Sequence, residues 1–525
     1  MAFLRFLLLL SVFASHAWAN VKEVKETKEG IIPTPVSGFA DIHNHMFAEY
    51  SFGGAWLHGK VEGPIEKALS SCEIDDDHAQ VTIPLISSFI GRIIGSSGDT
   101  GNHPGKHSGY PDFKGWPRWD TVAHQQMFEG SLKEAHLNGL SLLVVSMVNF
   151  EPLCDLMPKK NKKFDDCSDV YSVNLQLDAI HRFEKTHDWF KIVTTPAEAR
   201  AAIQAKKLAV VLSIEATHIF GDGDWRIEFE KAYAQGVRTL QLGHQMNNRF
   251  TGVAMHNPIF RIISWITDFA HMKHWWQVFT PWNFGFKYTD DPVTHIRKNK
   301  RGLSDEGRAL LTEMMNRGMM IDLAHESEKA VKEMQQMTLA KSNYPVYMSH
   351  GHFREAMDDG KFSVWEKASE DWVIDYIRGS GGVFGLRTGP EKTKDFPGSV
   401  APNNCQGSTK SFAQSYQYGV KHGLSVAFGS DLNGFIQQLR PRFGNADETC
   451  GAEPDSQLRH EQQLAQKNPL QRTFDRSGLG DIAKLPDVVS ELQHFGVDTK
   501  NLESSSEAFI RMWEKAEGNR YPPTL

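Results

Sequence analysis

From about residue 131 onward, polar and apolar positions settle into one rhythm, an amphipathic stretch followed by a short apolar run. Val170, Val173, Leu177, Ile180 and Phe183 recur at helical spacing. Thr195-Pro196-Ala197-Glu198 then joins an N-cap, a proline at the first helical position and a capping-box glutamate. The helix it opens leads into an apolar run, 208–215, that ends on Glu215. A helix over 225–235 stops at Gly236, and the run 237–243 leads to His244. Ser304 caps a helix carrying Leu310, Leu311, Met314 and Met315; the run 319–324 follows and meets His325. After a helix from Ser327, the run 345–349 meets His350. Helices over 371–378 and 412–422 precede the runs 382–387 and 425–430, the latter meeting Asp431. With 141–147 and an early run from Gly38 to His43, that makes eight short apolar strands.

Strands alternating with helices imply parallel pairing, and eight of them imply an α/β fold of the closed (β/α)8 TIM-barrel kind; an open doubly wound sheet is the alternative. Two long aromatic-rich insertions break the rhythm, over roughly 46–130 and 245–302, and a helical extension with amphipathic stretches at 485–495 and 507–514 ends the chain. The first insertion, with its many glycines and tryptophans, is expected to fold over the site. Trp265, Trp275, Trp276 and Trp282 in the second suit a folded lid with its own small core, membrane contact being the alternative. The predicted domains are a signal peptide at 1–19, a linker at 20–36 and a barrel over 37–525.

The signal peptide rests on Arg5, a short apolar run after it and Ala17-Trp18-Ala19, a cleavage pattern. Its apolar run is short of the ~20 residues a membrane span needs, so the expected fate is export, to periplasm or outside. A net charge of −7 and the lack of a dense basic block give no reason to expect nucleic acid. Cys154 with Cys167 and Cys405 with Cys450 would each close a loop, leaving Cys72 over, but spacing leaves the pairing open.

Candidate chemistry sits where the runs end. His43 and His45, in Asp41-Ile42-His43-Asn44-His45, lie two apart and so face one side of an extended chain. Among 23 histidines that pair decides little by itself. His43 and His45 end the first strand, Glu215 the third, His244 the fourth, His325 the fifth, His350 the sixth and Asp431 the eighth. In a barrel every strand end opens on one face, where active sites are built. Four histidines and a carboxylate exceed the needs of one zinc ion with an open position. Two divalent ions bridged by Glu215 use them all, His43 and His45 on one, His325 and His350 on the other. Water between the ions would ionise near neutral pH, Asp431 would take its proton, and His244 would polarise the scissile carbonyl. Asp322 is read as a buried polar or outer-layer residue.

Five stretches carry a resemblance. Gly302-Leu303-Ser304-Asp305-Glu306-Gly307 with 314–325, Pro345-Val346-Tyr347-Met348-Ser349-His350, Gly429-Ser430-Asp431-Leu432-Asn433-Gly434, Leu212-Ser213-Ile214-Glu215 and His244 with Asn247-Asn248 are similar, in order, to motifs of the membrane (renal) dipeptidases of the amidohydrolase superfamily. The resemblance implies metal ligands at His43, Glu215, His325 and His350, a substrate histidine at His244 and an acid/base aspartate at Asp431. It also implies a zinc pair and hydrolysis of dipeptides, some with D-residues, or of β-lactams. Two features depart from it: the family's first motif is H-x-D where this chain has His45, and the insertions are unlike a compact dipeptidase. Arg354 and Arg249 are candidates for the family's substrate-carboxylate arginine.

The expected function is that of an exported binuclear metal-dependent hydrolase, cleaving an amide bond in a dipeptide or related small molecule. A lactonase or phosphoester hydrolase is the enzymatic alternative. A non-catalytic binding barrel is the other, and it has no need of all these polar residues.

Overall fold

A computed structural model describes residues 34–72, 109–111, 113, 116–157, 159, 162–254, 288–290, 296–358, 366–443, 450 and 474–518. The predicted leader, most of the linker, the 95–101 glycine stretch and the four tryptophans of the second insertion lie outside these residues. Strands are β1 (Phe39–Asn44), β2 (Leu140–Asn149), β3 (Phe190–Ile192), β4 (Leu208–Ala216), β5 (Val237–Leu240), β6 (Tyr288–Asp290), β7 (Arg297–Asn299), β8 (Met320–Asp322), β9 (Val346–Gly351), β10 (Val383–Leu386) and β11 (Ser425–Phe428).

Among the described residues, eight parallel strands close on themselves in the order β1, β2, β4, β5, β8, β9, β10, β11, with Asp41 opposite Phe428 completing the ring. This is the (β/α)8 barrel that the rhythm predicts. Every residue of β2 and of β4 is buried. Both faces are covered, one by barrel interior and one by helices, which is why those runs lack polar alternation. Burial of each such Val, Leu or Ile stabilises by roughly 1.5–3 kcal/mol. Three strands were not predicted. Strand β3 pairs with the start of β4, and β6 with β7 form an antiparallel hairpin inside the second insertion.

The predicted caps open their helices. Ser304 Oγ accepts from Gly307 N at 3.0 Å and Ser327 Oγ from Ala330 N at 3.1 Å. At Thr195 the hydroxyl accepts from Glu198 N, but Glu198 bonds back to Thr194 N at 2.7 Å, one residue earlier than a capping box requires.

The described part of the first insertion packs Phe52, Trp56 and Leu57 against Val148, Met246 and Phe435, which follow or end barrel strands on the site's face. The opposite end is shut by the C-terminal helix Ser505–Gly518, whose Phe509, Ile510 and Trp513 are buried. That helix is tied to the chain entering β1, where Val36 N donates to Glu507 and Ala40 N to Ser505 Oγ. Disulfides join Cys154 to Cys167 and Cys405 to Cys450, while buried Cys72 lies outside both. No described helix is long and apolar enough to cross a membrane.

Candidate metal centre

All seven residues marked in the sequence meet at the carboxyl end of the barrel. His43, Glu215 and His350 lie within β1, β4 and β9, and His45 is one residue past β1. His244, His325 and Asp431 stand beyond shorter strands than predicted, three or four residues into the turns after β5, β8 and β11. His325 and Asp431 reach the centre with left-handed backbones, φ 65° and 55°. Non-glycine residues hold that conformation only where surrounding structure imposes it. Behind Asp431 the chain comes so close that a Cβ on Gly434 would lie 2.0 Å from Oδ1, which makes this position glycine-only.

Glu215 is the hub. Its Oε2 lies 3.0 Å from Nε2 of His43 and 3.0 Å from Nε2 of His45. Its Oε1 lies 2.9 Å from His325 Nε2 and 3.5 Å from His244 Nε2. His350 Nε2 is 3.0 Å from His325 Nε2, and its ring stacks on His43 at 3.9 Å. Asp431 Oδ1 is 3.2 Å from His45 Nε2 and 3.8 Å from His43 Nε2. Three overlapping sets of donor atoms, each within 4.8 Å, follow: His43–Glu215–His350, His43–His45–Asp431 and Glu215–His244–His325.

The outer nitrogens fix which atom each ring offers. His45 Nδ1 donates to the Ser146 carbonyl at 3.0 Å, so Nε2 is the nitrogen turned inward. His43 Nδ1 meets Ser146 Oγ at 3.3 Å and His350 Nδ1 meets Ser349 Oγ at 3.0 Å. Behind the rings, Asp322 Oδ1 accepts from Ser349 N and Ala324 N, each at 3.0 Å, and Oδ2 from Gln241. It is the outer-layer residue expected. Asp41 plays the same part between β1 and β11, accepting from Ser430 N at 2.9 Å and Ser430 Oγ at 2.6 Å. Burial pushes its carboxyl up to about 6 against those hydrogen bonds.

Electrostatics report a place built for positive charge. Burial works against a charged His45, yet Asp431 and Glu215 outweigh it and raise the imidazole to about 10. Burial would raise Glu215 too, but His244 and His43 beside it hold it well below the usual carboxylate range. Burial takes His244 down to about 4, only partly opposed by Glu215. Without a cation, a proton must hold His45 between two carboxylates. Imidazole nitrogens 3.0 Å apart around a carboxylate are a donor set that fits divalent metal ions such as zinc.

The two arginines offered for a substrate carboxylate are held differently. Arg249 is spent on Glu306, at 3.0 and 2.5 Å, and on the Gly221 and Gly223 carbonyls. Arg354 donates twice to the Ala368 carbonyl, at 3.2 and 2.7 Å, and thereby fastens the loop carrying Lys367. The cations at the centre are ones the sequence reading passed over. Lys367 Nζ lies 3.5 Å from His325 Nε2, and Arg387 Nε lies 3.9 Å from Asp431 Oδ2. Arg387 ends the seventh apolar run, the same signal as the other strand-end residues. Lys367 has no such signal.

Residues 153–265 and 277–438 match the sequence profile of the membrane dipeptidases, Peptidase family M19. The chain belongs to that family. Among curated proteins it is similar to dipeptidase verJ of Clonostachys rogersoniana, 23% identical over 210 residues, or 40% of this chain and 41% of that protein. It is also similar to dipeptidase tcpJ of Claviceps purpurea, 21% identical over 350 residues, or 66% of this chain and 60% of that protein. The chain thus spans less than two thirds of the length of either relative. Among solved structures, a metallo peptidase from Rhodobacter sphaeroides liganded with a phosphinate mimic of the dipeptide L-Ala-D-Ala overlays with a TM-score of 0.47. It is 14% identical, with 74% of this chain and 90% of that one covered.

Proposed function

We propose that this protein is an exported dipeptidase that works with two divalent metal ions, zinc by the nature of its donors. Family membership supports the dipeptidase reading, and the Arg5 and Ala17-Trp18-Ala19 pattern supports export. The observation that carries the metal pair is the Glu215 carboxylate, whose two oxygens face different histidines, His43 and His45 on one side and His325 on the other. His43 and His45 would hold one ion, His325 and His350 the other, with Glu215 between. Bound there, the ions supply Lewis acidity, activating water and polarising the amide carbonyl.

The remaining work belongs to the chain. Asp431, 3.2 Å from His45 Nε2, sits beside the cluster where it can accept a proton from water and return it to the leaving amine. His244 stands on the Oε1 side of Glu215, where burial keeps its ring neutral and able to donate one hydrogen bond to a developing oxyanion.

Metal analysis with a hydrolysis screen over L,L- and L,D-dipeptides, lactones and phosphoesters tests the reading. Two equivalents of metal and turnover of dipeptides are expected. Less than one equivalent after reconstitution would overturn the metal pair, and phosphoester turnover without amide turnover would overturn the dipeptidase.

A further inference from the structure

Arg387 follows β10 and is only 6% exposed, yet among the described residues its guanidinium makes no hydrogen bond. The carboxylates within 4.0 Å of it are Asp431, whose Oδ2 is 3.9 Å from Nε, and Glu391, whose Oε1 is 3.8 Å from Nη2. Both lie beyond hydrogen-bond distance. Glu391 is already engaged by His352, whose Nε2 lies 3.2 Å from the same oxygen. The same chain shows how it treats an arginine meant as a structural counter-ion. Arg200, equally buried, donates four hydrogen bonds of 2.6–3.2 Å to Glu507 and Glu514. A guanidinium is a rigid fork of five donors matched to a planar carboxylate, and leaving it buried and unspent is unfavourable. Arg387 therefore stands ready for an acceptor that the chain itself does not provide. Lys367 offers a second cation on the same rim. It is half-buried, lies against His325 and meets no carboxylate within 4.0 Å among the described residues.

We propose that Arg387 binds an anionic group of the substrate and that, with Lys367 as a second cationic anchor, it selects small dicarboxylates, namely dipeptides with an Asp or Glu residue in addition to the terminal carboxylate. That this ligand is a substrate rests on the dipeptidase function; anion binding by Arg387 does not. One carboxylate is taken by Lys367 and the other by the Arg387 fork. Neutral dipeptides satisfy one anchor and leave the other unspent, so discrimination comes from a buried group left unpaired.

The test uses full-length, metal-loaded protein with metal content verified. Calorimetry compares glutarate with butyrate, so that any contact of a single carboxylate with the metal centre is common to both. Kinetics compare Gly-Asp and Gly-Glu with Gly-Ala. Expected are glutarate binding at least about tenfold tighter than butyrate and a similar preference in kcat/KM for the acidic dipeptides. In Arg387→Met both preferences should collapse towards unity. In Arg387→Lys, which keeps the charge without the fork, they should be intermediate; this variant also serves if Arg387→Met does not fold. Equal binding of glutarate and butyrate, or variants that discriminate as the wild type does, overturns the proposal. If no dipeptide is cleaved but the glutarate preference is present and lost in the variants, the dipeptidase reading fails and the Arg387 anion site stands.

Discussion

Arg200 and Arg387 are equally buried at opposite ends of one barrel, and they live under opposite rules. Arg200, on the helix Pro196–Gln204 that leads into β4, is fully paired with two carboxylates of the C-terminal helix. One of those, Glu507, also receives Val36 N and Arg511, so it binds three segments together. Arg387 is surrounded by charges at distances none of them can use. The first end completes itself from its own sequence. The second crowds imidazoles, carboxylates and cations that only added ligands can satisfy. Buried charge by itself is therefore no mark of a site; buried charge with unspent hydrogen-bonding capacity is.

The largest expected effect of this contrast is at Glu215. Glu215→Gln should lose metal and lower turnover by on the order of 10³-fold, because the charge joining both histidine sets is gone. Thermal stability of the metal-free protein should fall as well, since Glu215 is an anion that the imidazoles around it hold in the folded state. Metal analysis beside thermal melts checks both halves. Full metal content in the variant would break the contrast at its functional end.

At the other end the signs reverse. Arg200→Met takes four hydrogen bonds from Glu507 and Glu514 and should cost about 3 kcal/mol of stability in denaturant unfolding, with metal content unchanged. A comparable loss of bound metal would mean the two ends are coupled and the distinction is false.

The two ends were not equally legible in the sequence. Strands buried on both faces print an apolar run, and the first polar residue after each run falls on one rim, so the ring of His43, His45, Glu215, His244, His325, His350 and Asp431 could be read without coordinates. Lys367 could not be placed that way, and Arg387 could be placed but not given a role. A cation at a strand end also suits solvent, and Arg387 with Glu391 four residues on reads as an ordinary local pair. Only distances show that the pair is not hydrogen-bonded. The three-residue β3 and the β6–β7 hairpin were missed because such short segments contain no full period.

Acid sharpens the quiet end further. Burial would raise Glu507, but Arg200 and Arg511 beside it hold its carboxyl down to about 2, below the ordinary 4.5 of an unfolded chain. A carboxylate with a lowered native pKa stabilises fully above the unfolded value, and that contribution drains away as pH falls from about 4.5 towards 2. Allowing for solvent around Arg511, it amounts to about 2 kcal/mol. The stability gap between wild type and Glu507→Gln should close by that much over this window; a gap independent of pH would show that Glu507 is not held as an anion.

The smallest effect concerns His45, where the chain departs from the H-x-D motif. His45 Nε2 lies 3.0 Å from Glu215 Oε2 and 3.2 Å from Asp431 Oδ1, so the ring spaces two carboxylates and brings no negative charge of its own. Replacing it by Asp adds a third anion and exchanges an imidazole nitrogen for an oxygen, a donor that suits harder ions such as manganese better than zinc. The shorter side chain also gives up the Ser146 carbonyl contact that orients the ring. His45→Asp should therefore still bind two ions while shifting its zinc-over-manganese preference by about tenfold towards manganese. Competitive metal titration measures that ratio directly. An unchanged ratio would mean that His45 orients its neighbours without touching an ion, and the first ion would then rest on His43 and the carboxylates.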